Sequence, residues 1–277
     1  MKKNLILLYL RTYLNLLAWV APHKAGRVGF YIFCRPQRRE VKPHHLEFFN
    51  TSEKFTIEYD NKKVQAYKWG TGEKKLLLLH GWESHTYWWR NVINNLSKEK
   101  YTIISIDAPA HGLSEGNYMN IVHYSGLIEQ IILQPGKFYA LLAHSLGAFS
   151  TAYTFYRLPQ LPVEKLVLMA APGESIDYVN YYQKLVGFSN RTLKEIRKYF
   201  IEKIHHEPEY FSLKEFAKKI TLPGLMIHDT EDKEAPYKHA LEAHQNWKNS
   251  KLITTTGLGH NLKSLDLIKD VESFLNT

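Results

Sequence analysis

Six short apolar runs, at residues 76–79, 101–106, 138–143, 166–170, 225–228 and 251–255, recur along the chain with stretches of helical character between them. Runs of this length without polar alternation need cover on both faces, the condition of strands inside a parallel sheet. Parallel neighbours need crossover connections of about ten residues or more, and 86–96, 119–133, 146–157, 237–247 and 262–275 have the length and pattern for crossover helices. Residues 55–59 and 64–69 alternate instead, with Asp60-Asn61 between them as turn chemistry, so they read as an antiparallel hairpin. The expected fold is α/β: a mostly parallel central sheet with helices on both faces, led by that hairpin.

With 277 residues, 44% hydrophobic and 23% charged, the chain has the balance of a globular protein, which excludes disordered, collagenous and multispanning membrane classes. Between Pro172 and Leu222 about fifty residues lack a strand pattern, carry helical patterns at 190–204 and 213–220, and are rich in Tyr and Phe. That is too long for a structureless loop, so a helical lid is expected at 173–221, inside a domain of residues 48–277. The sole cysteine, Cys34, excludes an internal disulfide framework and a Cys-rich zinc module, and fits a cytoplasmic setting.

Charge is unevenly spread. Of a net +9, the chain through His45 contributes nine Lys/Arg against the single acid Glu40. The basic character therefore belongs to an extension, residues 1–47, and nucleic acid is not an expected partner of the body. Within it, residues 5–20 (LILLYLRTYLNLLAWV) are apolar but interrupted by Arg11, Thr12 and Asn15, too short and broken to span a bilayer. Lys2 and Lys3 imitate the start of a signal peptide, yet no small-x-small cleavage site follows. Two readings remain: a helix laying its apolar side on the main domain, which is the favoured one, and a peripheral helix meeting the inner membrane surface.

The strongest local signal is Ala143-His144-Ser145-Leu146-Gly147, between an apolar strand and a helical stretch. A serine on so sharp a turn projects from the sheet edge, with small residues two positions away on either side. At a helix N-terminus the dipole and the Leu146 N–H favour developing negative charge. A serine hydroxyl needs a base, and the base needs an orienting acid. His260, just past the last strand, is the expected base, and Asp232, before Ala235-Pro236, the preferred acid over Asp229 and Glu231. A second oxyanion donor is expected from the Trp82 N–H after His80-Gly81, with His80 bracing the loop and Trp82 an apolar wall.

Taken in order, His80-Gly81-Trp82, Asp107-Ala108-Pro109-Ala110-His111-Gly112-Leu113-Ser114, the turn around Ser145, Asp232 with Ala235-Pro236, and Gly259-His260 resemble the α/β-hydrolase superfamily across residues 55–275. Two departures, Ala143 and Ala110 where glycine is usual, keep a small side chain. The resemblance implies an esterase- or lipase-like serine hydrolase of carboxylic esters. Ser145 attacks a carbonyl, His260 takes its proton, Asp232 steadies the imidazolium, the Trp82 and Leu146 N–H groups hold the oxyanion, and water releases the acid. It gives Asp107 and His111 a structural role, and asks for no metal or organic cofactor. The adjacent pairs His44-His45 and His205-His206 point apart and make no ligand set. Thioesterase or acyltransferase chemistry on the same residues, a non-enzymatic ligand binder, and an interaction protein anchored by the arm are the alternatives. The expected partner is a small acyl ester, short or medium in chain, bound where Trp82 and lid residues offer apolar surface.

Overall fold

The computed structural model describes residues 2–277, with Lys2 and Lys3 described by backbone alone, so readings that rest on those two cations lie outside the described side chains. The chain divides into two compact units: Pro36–Gly173 with Leu213–Thr277, and the chain up to Arg35 with Glu174–Ser212. In chain order the elements begin α1 (Lys2–Val20), α2 (Pro22–Phe33), α3 (Pro43–Phe49), β1 (Glu53–Tyr59), β2 (Lys62–Trp69), β3 (Lys74–Leu79), α4 (Arg90–Asn95), β4 (Tyr101–Ile106) and α5 (Ile121–Ile132). They continue β5 (Phe138–His144), α6 (Leu146–Arg157), β6 (Val163–Met169), α7 (Ser175–Val186), α8 (Asn190–Ile204), α9 (Leu213–Ala217), β7 (Gly224–Asp229), α10 (Tyr237–Asn246), β8 (Ser250–Thr255) and α11 (Leu265–Asn276).

The larger unit is built on one eight-stranded sheet of order β1-β2-β4-β3-β5-β6-β7-β8. The leading hairpin is antiparallel in register Tyr59↔Lys62, and Asp60 and Asn61 both take positive φ, 50° and 55°, as the turn that matches strand twist requires. β2 then pairs antiparallel with β4, and every pairing from β4 through β8 is parallel. Leu76 and Leu78 of β3, Ala140 and Leu142 of β5 and Val167 of β6 lie on one face, in a core with Trp89, Ile93 of α4 and Leu267, Val271, Leu275 of α11. Their neighbours Leu77, Leu79, Leu141, Ala143 and Leu166 point the other way and are as fully buried, which is why these strands carry no polar alternation. Helices thus cover both faces.

Four expectations are corrected in detail. β8 is the last strand of the sheet and none of its residues is fully buried, so the run at 251–255 is not covered on both faces. The 86–96 stretch opens as a tight 3-10 turn, Thr86–Trp89, before α4. The helix expected over 213–220 stops at Ala217 and lies in the sheet unit, where Phe216 is buried against Phe149 and Tyr153 of α6. Residues 36–47 belong to the sheet unit as well.

The smaller unit joins α1 and α2 to α7 and α8. Leu14 of α1 packs with Val186, Phe188 and Ile196, while Phe30 of α2 meets Tyr199 and Phe200 of α8. Asn15 ties the ends together: its Oδ1 accepts from the Ser189 N–H at 2.9 Å and the Thr192 hydroxyl at 2.7 Å, and its Nδ2 donates to the Gly187 carbonyl at 3.3 Å. Among the described residues no helix is long and apolar enough to cross a membrane.

Leu142 lies at the middle of the sheet with no exposed surface. Leu142→Ala is expected to destabilise the fold by about 2–5 kcal/mol through lost contacts and the residual cavity, read as a lowered urea midpoint at unchanged slope.

Candidate active site

β5 ends at His144 and α6 begins at Leu146, leaving Ser145 alone to turn the chain. Its backbone sits at φ 51°, ψ −124°, a conformation costly for a residue with a Cβ and held by the structure around it. The Ser145 N–H donates to the Met169 carbonyl at 2.9 Å, and its own carbonyl accepts from Phe149 N–H at 3.0 Å, so strand and helix both grip it. The turn needs small neighbours. A Cβ on Gly147 would sit 2.5 Å from the Leu79 carbonyl oxygen, and one on Gly81 would sit 2.7 Å from the Ser145 Cβ. That approach of Gly81 brings the 81–82 peptide beside the Ser145 side chain. Leu146 is in the first turn of α6, where amides lack an intrahelical acceptor.

Two chain segments far away in sequence converge on this serine. His260 Nε2 lies 2.9 Å from Ser145 Oγ, and His260 Nδ1 lies 2.8 Å from Asp232 Oδ2. A carboxylate can only accept, so Nδ1 carries the proton and donates to Asp232, leaving Nε2 to accept from the serine hydroxyl. Asp232 Oδ1 accepts from the Glu234 and Ala235 N–H groups at 2.8 and 2.9 Å. Burial alone would raise the Asp232 carboxyl, but hydrogen bonds from His228, His260 and the Ala235 amide, with attraction to His260, outweigh it and hold the group well below the usual carboxylate range.

The neighbouring acids are placed differently. Asp229 is fully buried and accepts from Glu231 N–H, Thr255 Oγ1 and Leu258 N–H, at 2.9, 2.7 and 2.9 Å, which fastens the end of β7 to the loop after β8. Glu231 is exposed. Asp107 accepts from Thr86 N–H, Tyr67 OH and Leu113 N–H, and His111 accepts from Glu83 N–H at 3.0 Å, so the 107–114 segment is a braced turn. His80 accepts from Ala108 N–H at 2.9 Å and donates to the Gly81 carbonyl at 2.7 Å, and burial pulls its pKa down to about 3.

Three residues here were not singled out from sequence. His228, buried on β7, donates Nε2–H to the Ala235 carbonyl at 2.7 Å and lies 3.4 Å from Asp232 Oδ2. His144 stacks on Trp88, 4.1 Å between ring centres, and donates Nε2–H to the His260 carbonyl at 2.8 Å. Burial drives its pKa down to about 3, so it stays neutral near pH 7. Glu234, largely exposed, has an oxygen 3.8 Å from His260 Nε2. The only sequence signal for the two histidines was their place at strand ends, which does not tell a bracing ring from a reacting one.

A serine on a strand-to-helix turn of a parallel sheet, with an imidazole and a carboxylate arriving from later strand ends, defines the class of α/β hydrolases. The chain matches the alpha/beta hydrolase family over residues 76–250, and it belongs to that family. It is 24% identical to the hydrolase YugF of Bacillus subtilis, over 78% of this chain and 93% of that one. It is also 23% identical to the bifunctional esterase/perhydrolase DCH of Acinetobacter calcoaceticus, over 76% of this chain and 94% of that one. Among solved structures, a bacterial membrane phospholipase A superposes over 100% of this chain and 98% of its own, with a TM-score of 0.66 and 16% identity, a likeness of fold. Family and relatives together support an enzyme of the hydrolase and esterase kind.

The lowered Asp232 carboxyl sets a pH dependence. A carboxyl depressed in the folded state stabilises it above the unfolded value near ~3.9, and that contribution is lost as pH falls toward the folded value. Stability against urea should therefore fall between about pH 5 and 2 in the wild type. Asp232→Asn should be less stable at pH 7 and show a shallower acid decline; equal slopes in the two proteins would contradict the placement of this charge.

Proposed function

We propose that this α/β hydrolase cleaves carboxylic esters through an acyl-enzyme on Ser145. The observation that carries the reading is the unbroken relay Ser145, His260, Asp232 at 2.9 and 2.8 Å, with the serine held at the turn by strand and helix. Ser145 Oγ attacks the ester carbonyl carbon while His260 Nε2 takes its proton. The imidazolium so formed is stabilised by Asp232, which stays ionised. The carbonyl electrons move onto oxygen, where the Trp82 and Leu146 N–H groups donate to the oxyanion. Collapse expels the alkoxide, which receives the proton from His260, and a water deprotonated by the same imidazole then attacks the acyl-enzyme to release the acid. His228 and His144 support the relay from behind, the first at Asp232 and the second at the backbone of His260.

Covalent labelling of the pure protein by a fluorophosphonate probe tests the nucleophile. Wild type should label and Ser145→Ala should not; labelling that survives the substitution would remove Ser145 from this role. Across p-nitrophenyl esters of rising chain length, hydrolysis should peak at short or medium acyl groups. Ser145→Ala and His260→Ala should lower kcat by about 10⁴–10⁶-fold.

A further inference from the structure

We propose that the outward face of α1 is a docking surface for an anionic lipid bilayer, on which the helix lies flat. Successive residues of an α-helix turn by about 100°, so Leu5, Ile6, Leu8, Tyr9, Leu16, Trp19 and Val20 fall within one arc of about 160°. Every one of these side chains is between 57% and 81% exposed. The opposite arc is already committed: Leu14 is buried with Val186, Phe188 and Ile196, Leu7, Leu10 and Leu17 pack on them, and Asn15 is bonded to Gly187, Ser189 and Thr192. A surface helix with its apolar stripe inward should show water a polar face, and this one shows water a second, mostly apolar face in which Thr12 is the exposed polar residue. Contiguous exposed apolar surface on such a scale marks an interaction site.

Charge selects the occupant. The chain through Arg35 holds six Lys/Arg and no acid, and Arg11, Lys24, Arg27 and Arg35 are exposed. At the end of α1 the Arg191 guanidinium lies over the Trp19 ring, 4.2 Å from its centre, an amphipathic pair suited to the headgroup level. A second copy would bring the same acid-free stretch of cations against this one, whereas acidic headgroups neutralise such cations. Crossing the bilayer is a different matter, because α1 would have to strip its inward arc from α7 and α8. A flat amphipathic seat, apolar side chains down and cations among the phosphates, leaves those contacts intact.

Co-sedimentation of the full chain with vesicles of phosphatidylcholine containing 30% phosphatidylglycerol, against pure phosphatidylcholine, tests this. Binding to the anionic vesicles should be at least tenfold tighter and weaken with salt. A triple variant, Leu8→Gln, Leu16→Gln and Trp19→Gln, should lose at least tenfold in binding while keeping its thermal midpoint and its hydrolysis of a short soluble ester. A second variant, Lys24→Glu with Arg27→Glu, should lose the preference for anionic vesicles. No binding by the wild type, or binding by the triple variant equal to wild type, would overturn the proposal. So would sedimentation equilibrium showing a dimer that the triple variant breaks into monomers.

Discussion

The parallel pairing of β3, β5, β6, β7 and β8 governs this molecule, because it makes all five strands end on the same edge of the sheet. Whatever follows each strand is delivered there: Gly81 and Trp82 after β3, Ser145 after β5, Asp232 after β7, His260 after β8. Residues over a hundred positions apart meet at hydrogen-bond distance without any local sequence cause. The hydrogen-bond ladders between these strands, buried from β3 through β7, fix that edge, and the chemistry hangs from it. The positive φ of Ser145 can persist for the same reason. A single residue in that conformation costs on the order of 1–3 kcal/mol, and a buried strand on one side and a twelve-residue helix on the other over-determine it.

Electrostatics at the edge follow from burial more than from net charge. Four imidazoles, those of His80, His111, His144 and His228, sit almost wholly out of water around the relay. For the first three, desolvation pulls the pKa down to about 3, so they act as neutral rings with one donor and one acceptor. His80 and His111 use both ring nitrogens on backbone groups, and His144 uses Nε2 on the His260 carbonyl. Asp232 is the opposite case: equally removed from water, yet supplied with enough donors that its ionised form wins. A charged Asp232 leaves His260 as the imidazole with both a carboxylate and a hydroxyl within reach.

Much of this was legible in the residues. The strands could be located because double cover forces continuous apolar runs, and the turn at Ser145 because its sterics demand small residues at 143 and 147. Asp232 was preferred to Asp229 for its place past the strand end and before Ala235-Pro236, and the two have distinct partners, one facing His260 and the other fastening the loop after β8. Strand order was not legible: β4 lies between β2 and β3, a long-range choice with no mark in local pattern. Nor was the edge position of β8, since Lys251 to Thr255 read alike whether or not a further strand covers them. His228 and His144 escaped notice because a histidine bonded to a backbone carbonyl leaves no spacing for a motif to record.

Hydropathy along α1 illustrates the same limit from the other side. An apolar residue carries the same signal whether it is buried or bare, and a helix apolar all round is read as a core helix or a span. Here the two halves of the circumference have separate fates. The inward half is sealed against α7 and α8, in part by the polar Asn15, whose three bonds would be orphaned if α1 moved. The outward half has no such seal, and the cations that flank it in sequence have few acids to answer them. Water is a poor solvent for the first property and a good one for the second, and an acidic lipid surface accommodates both.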